Sequence, residues 1–133
     1  MLSIGQEYRH NFQFSQEEVN KFAEVTGDKN PLHLDPAYAA QTIFQRPIMH
    51  GMLGASIFSK VFGTLFPGEG TIYLKQSLQF LAPMFVDTSY TAIFTVQAVD
   101  TEKHRVTIKT EIINPEGKTT ITGEALLQNP AIK

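Results

Sequence analysis

Asp28 and His33 stand five residues apart in the segment VTGDKNPLHLDP, Val25 to Pro36. A carboxylate and an imidazole directed at one point can hold a water, remove one of its protons and return a proton elsewhere, which is general acid and base chemistry. Imidazole titrates near neutrality, so modest burial decides its state. Pro31 is expected to prevent helix here and to bias Asn30 towards an extended backbone, giving a loop that turns both side chains inward. A second feature is His50-Gly51-Met52, at the head of a long apolar run. Free backbone N–H groups at a helix N-terminus, with a glycine allowing close approach, suit a developing oxyanion, and Gly51 is the residue placed to supply one. Loop and helix start together imply proton transfer alpha and beta to a thioester or similar carbonyl.

Each of these residues also has a plainer reading. Asp28 and His33 could be turn formers or solvated side chains, and Asp35 reads mainly as an N-cap. Asn30 is either a turn residue or a group that orients Asp28 or His33. His50 reads as a hydrogen-bonded structural histidine, and Gly51 could serve only the packing of helix on sheet. Ser59 either bonds the backbone one turn earlier or points its hydroxyl into a pocket. Arg46, His104 and Lys109 read as surface charges. A metal site on Asp28 and His33 is weak, because two ligands five residues apart have no third in evidence.

The elements that must position these groups can be read from periodicity. Tyr8, His10, Phe12 and Phe14 alternate with polar residues as in a strand with one buried face. Ser15 and Glu18 form a capping box, Val19, Phe22, Ala23 and Thr26 follow at helical spacing, and Gly27 is placed to end that helix. Asp35-Pro36 opens a short helix through Ala40. Gly51 to about Phe66 has helical length but almost no polar face, which predicts a helix buried nearly all round. Period two then takes over: Ile72 to Phe80 as one strand, Tyr90 to Ala98 as a second, Val106 to Ile112 as a third, and a turn at Pro115-Glu116-Gly117 into a fourth. The class is α+β, a curved antiparallel sheet wrapped around one apolar helix. So short a chain has little left to cover the helix's remaining face, and an identical partner chain is expected there.

Composition narrows the function. The 133 residues are 42% hydrophobic and 18% charged, ordinary globular values that fit a single domain, 1–133. A net charge of -2 with eleven scattered Lys and Arg offers no face for nucleic acid. Without cysteine there are no disulfides and no thiolate metal site. Neither a signal peptide nor an apolar run of membrane-spanning length is evident, so a cytoplasmic protein with no membrane partner is expected.

Phe22 and the run Val25 to Asp35 resemble the hydratase motif of MaoC-like proteins, and the chain as a whole resembles their (R)-specific enoyl-CoA hydratases. The likeness continues through RPIMHGML, Arg46 to Leu53, and through PGEGTIYLKQSLQFLAP, Pro67 to Pro83. It implies a hot-dog fold, a homodimer, and an active site beside the dimer interface at the end of an acyl tunnel. Position by position it implies that Asp28 and His33 are the catalytic pair that binds the water. Gly51 would hold the thioester oxygen through its N–H, and Asn30 and Ser59 would support the site. The implied reaction is reversible syn hydration of a trans-2-enoyl-CoA to an (R)-3-hydroxyacyl-CoA, with an acyl-CoA substrate and no metal or redox cofactor. The chain departs from the family at Val86-Asp87-Thr88, where relatives usually carry a Gly-Asp turn. Leu53, Phe58, Leu65 and Phe80 are candidates to line the tunnel. A dehydratase acting on acyl carrier protein substrates uses the same residues, and a non-catalytic acyl-CoA binding module is expected to have lost Asp28 or His33. A thioesterase of this fold needs a carboxylate on the central helix, and Gly51 to Phe66 has none.

Overall fold

The structure is a computed structural model that describes residues 2–133. Strand β1 (Glu7–Phe12) leads into α1 (Gln16–Thr26), two single-turn helices α2 (Pro31–Leu34) and α3 (Pro36–Ala39), and the long α4 (Gly51–Thr64). Strands β2 (Ile72–Gln76), β3 (Gln79–Phe80), β4 (Tyr90–Asp100), β5 (Arg105–Ile113) and β6 (Thr119–Gln128) complete the chain. All pairings are antiparallel in the order β1-β4-β5-β6-β2, with β3 also on β6. Register shifts at Val96/Ala98 in β4 and Tyr73/Lys75 in β2 insert residues that bend and twist the sheet. The sheet packs its apolar side on α4.

That packing follows from side-chain period. Ile108, Ile112, Ile121 and Leu127 alternate into the core and meet Phe58, Val61 and Phe62 of α4. Each such buried side chain contributes roughly 1.5–3 kcal/mol. Phe94 stacks edge-on with both Phe58 and Phe62, which fixes the helix across the middle of the sheet. The helix is not buried all round, as its composition suggested. Met52, Ser56, Ser59, Lys60, Gly63 and Thr64 face outward, so its small and polar residues form one exposed face.

Two other expectations are corrected. Pro31 does not prevent helix: it occupies the first helical position of α2, where no N–H is needed and its fixed φ is favourable. Ile72 to Phe80 is two strands rather than one. The chain breaks at Ser77, whose N–H donates to the Glu124 carbonyl while its hydroxyl accepts from the Glu124 N–H. Gly123 makes this crossing possible, since a Cβ there would lie 1.9 Å from the Ser77 carbonyl oxygen. The capping box of Ser15 with Glu18, the left-handed Gly27 and the Asp35 cap are all as the sequence predicts. In the segment Val86-Asp87-Thr88, Asp87 takes φ 53°, a left-handed conformation that aspartate tolerates.

Candidate active site

Three segments converge beside the N-terminus of α4. The first is the exit from α1. Thr26 donates its hydroxyl to the Phe22 carbonyl and accepts from the Asp28 N–H, and Gly27 turns the chain left-handed, so Asp28 is presented immediately past the helix end. The second is α2, capped by Asn30, whose side chain accepts from the Leu32 N–H at 3.1 Å. This helix carries His33, and Gln16 of α1 ties it down by donating to the His33 carbonyl. The third is His50-Gly51, held where the preceding Met49 N–H donates at 2.7 Å to the carbonyl of Met84, in the connection between β3 and β4.

These segments border a cavity of about 470 Å³. Asp28, His33, His50 and Gly51 form its polar end, and Phe44, Ile48, Met52, Phe80, Met84 and Ile121 supply much of its apolar wall. Of the four tunnel candidates only Phe80 lines it. Leu53 and Phe58 belong to the core, and Leu65 lies beyond the end of α4 with its side chain partly exposed.

Hydrogen bonding fixes the state of His33. Its Nδ1 lies 2.8 Å from the Ile48 carbonyl oxygen, which can only accept, so Nδ1 carries a proton. Neutral His33 therefore offers a bare Nε2 lone pair. Burial lowers the pKa of His33 below 6.5, and nearby His50 acts in the same direction, while the Ile48 hydrogen bond and Asp28 oppose it. The neutral ring is thus the form present at neutral pH.

Gly51 is the first residue of α4, and no side chain caps the helix above it. The Leu53 and Gly54 N–H groups turn back to the His50 carbonyl, leaving the earlier N–H groups as the open, electropositive end of a fourteen-residue helix. Phe80 covers the glycine so closely that a Cβ would lie 2.6 Å from two ring carbons.

Asp28, His33 and His50 each offer a ligand atom within 4.8 Å of the others. The two imidazoles, however, stack with centroids 3.9 Å apart and planes 32° from parallel. Each ring has one nitrogen engaged by a carbonyl and the other left bare, so the set can take up and hand on a proton.

Asp28, His33 and Gly51 are therefore brought together as the spacing suggested, and Asn30 acts as the cap that shapes α2. Ser59 is not brought there: it lies on the exposed face of α4, outside the cavity lining. His50, read from sequence as structural, sits at the centre of the cluster. The signal for it was its place directly before Gly51, the first residue of α4.

Known proteins resemble this chain over nearly its full length. The chain is 47% identical over 129 residues to the (R)-specific enoyl-CoA hydratase of Aeromonas caviae, covering 97% of this chain and 96% of that one. It is 42% identical over 117 residues to the enzyme of the same name from Rhodospirillum rubrum, covering 88% and 81%. Its structure superposes on that of the (R)-hydratase from A. caviae involved in PHA biosynthesis with a TM-score of 0.93, 47% identity and coverage of 97% and 98%. The family described as "MaoC like domain" matches residues 2–117. The loop bearing Asp28 and His33, the helix opened by Gly51 and every strand but β6 fall within that match, and the chain, with its hot-dog fold, belongs to the MaoC-like family.

Proposed function

We propose that the protein is an (R)-specific enoyl-CoA hydratase, a hydro-lyase that adds water reversibly to a trans-2-enoyl-CoA to give an (R)-3-hydroxyacyl-CoA. The observation that carries the reading is the shared cavity: carboxylate, neutral imidazole with a bare Nε2, and open helix N-terminus lie at one end of an apolar space. Near-full-length similarity to proteins of that name supports the substrate class.

In this mechanism one water is held between the Asp28 carboxylate and His33 Nε2. Its O–H bond breaks towards Nε2 as the C–O bond forms at the beta carbon, and electrons move through the enoyl system onto the thioester oxygen. The Gly51 N–H and the dipole of α4 receive that charge. A proton returns to the alpha carbon from the side that delivered the hydroxyl, so addition is syn. Every step is a proton transfer or a C–O bond change, and none requires a metal or redox cofactor. Positioned proton transfer contributes roughly a hundred- to ten-thousand-fold, and one oxyanion donor about a hundred- to a thousand-fold.

The reading includes one catalytic domain over residues 1–133, a cytoplasmic setting and a homodimer. In support of the dimer, β2 ends the sheet with one edge unpaired, and Ile72, Leu74, Phe80 and Leu81 are exposed on or beside it. No helix among the described residues is long and apolar enough to cross a membrane.

Hydration of crotonyl-CoA, followed as loss of the conjugated enoyl thioester absorbance, tests the proposal. Wild-type protein should turn over, and Asp28→Asn or His33→Ala should lower kcat by at least about a hundred-fold with the fold intact. Full activity in either variant would refute the mechanism.

A further inference from the structure

We propose that His50 is a positioning residue that fixes the geometry of both Asp28 and His33. The inference rests on the hydratase reading of that pair. His50 is 2% exposed, and its ring packs on Phe22 at 4.9 Å and on His33 at 3.9 Å between centroids. Its Nε2–H donates to the Asp28 backbone carbonyl at 2.9 Å. One side chain thus anchors the backbone that bears the carboxylate and lies against the ring that acts as base. Its own backbone then opens α4, so the residue joined to both proton-transfer groups is the immediate neighbour of the oxyanion donor.

His33 shows why such a contact matters. The Ile48 carbonyl holds Nδ1, and this single bond leaves the ring free to tilt about it. The His50 stack removes that tilt and sets the direction of the Nε2 lone pair. Asp28 is exposed and follows a left-handed turn, so its backbone needs a tether if its carboxylate is to meet the same water. The Nε2–H of His50 is that tether.

The remaining nitrogen of the ring supports the same role. His50 Nδ1 is buried and has no hydrogen-bond partner. An orphaned buried acceptor is unfavourable, and an apolar ring would pack here without it. What an apolar ring lacks is the Nε2–H. What the polar side chain adds is therefore the tether to Asp28, beyond the stacking that phenylalanine could reproduce.

His50→Phe and His50→Gln separate the two contacts. Phenylalanine keeps a ring against His33 and loses the donor, whereas the glutamine amide can reach towards the position of Nε2 and loses the ring. In crotonyl-CoA hydration, kcat of His50→Phe should fall about ten- to a hundred-fold with KM little changed, and His50→Gln should recover part of the loss. The His33 ring is titrated separately by NMR in the free protein, where Asp28 and His50 are the ionisable groups that influence it. Its midpoint should move to higher pH in both variants as the influence of the second imidazole is removed. Wild-type kcat together with an unshifted His33 titration in a folded His50→Phe would overturn the role. Should that variant not fold, the same pair of results in His50→Gln overturns it. The titration needs no turnover, so a wild-type protein unable to hydrate crotonyl-CoA would refute the proposed reaction, while the His33 midpoint would still decide whether His50 acts on that ring.

Discussion

Replacing Gly51 with alanine tests the oxyanion site through a clash whose size the structure gives. The added Cβ would lie 2.6 Å from Cδ1 and Cε1 of Phe80 and 3.4 Å from Cγ. Carbon atoms rest about 3.5–4.0 Å apart, so the ring must retreat by roughly 1 Å. Phe80 is 52% exposed in the single chain, so its ring can retreat without entering the packed core of that chain. The stability cost should therefore fall below the usual overpacking range, at about 1 kcal/mol or less. Activity should respond differently, because the methyl lies in the cavity wall beside the amide proposed to receive the thioester oxygen. Loss of one oxyanion donor costs about 2.7–4 kcal/mol of transition-state stabilisation, or roughly a hundred- to a thousand-fold in rate. Urea unfolding and crotonyl-CoA hydration, measured on the same preparation, should show nearly unchanged stability beside a fall in kcat/KM of about a hundred-fold. Adding Phe80→Ala removes the clashing ring and should not restore the rate, since the methyl still blocks the amide. Wild-type kcat/KM in Gly51→Ala, or full recovery in the double variant, would refute the assignment.

Two further outcomes follow from the site and its frame. The proposed mechanism needs neutral His33, whose pKa is lowered by burial and by His50, so kcat/KM should be level near neutrality and its acid limb should have a midpoint below 6.5. For stability the sign is the same: the folded state binds this proton less readily than the unfolded chain. The contribution of His33 is complete above 6.5 and is lost as pH falls through the folded-state midpoint, which pH-dependent urea unfolding will show against His33→Gln. Gly123→Ala should damage the fold, because its Cβ would meet backbone, 1.9 Å from Ser77 O and 2.8 Å from Ser77 C. Breaking the two Ser77–Glu124 hydrogen bonds at about 0.5–1.5 kcal/mol each, with roughly 1–3 kcal/mol of overpacking, gives a loss of about 2–6 kcal/mol in urea unfolding. A change of less than about 1 kcal/mol would contradict the tight crossing at β6.

The residues most legible in the sequence are those governed by local rules. Ser15, Glu18, Gly27 and Asp35 cap helices as their types and spacing require, and period two marks β4, β5 and β6. Asp28, His33 and Gly51 can be nominated because a loop and a helix start constrain their direction. Pro31 departs from expectation because its effect depends on position within a helix: it breaks an interior but suits the first turn. The break at Ser77 is tertiary, arising from contact with Gly123 on the neighbouring strand, and no local pattern announces it. Ser59 is ambiguous for a different reason. Two turns along an apolar helix its composition allows either direction, and only the packing of Phe58, Val61 and Phe62 on the sheet decides that it faces out. The centrality of His50 is likewise invisible until Phe22, Asp28 and His33 are placed around it.

The central claim is that one water and one proton are delivered from the same side by groups at a single point. Hydration of a trans-2-enoyl-CoA in deuterium oxide, with stereochemical analysis of the product, measures this directly. The account predicts a single (R)-3-hydroxyacyl product whose alpha deuterium lies on the face that received the hydroxyl. A product of mixed or (S) configuration at the beta carbon, or deuterium on the opposite face, would contradict it.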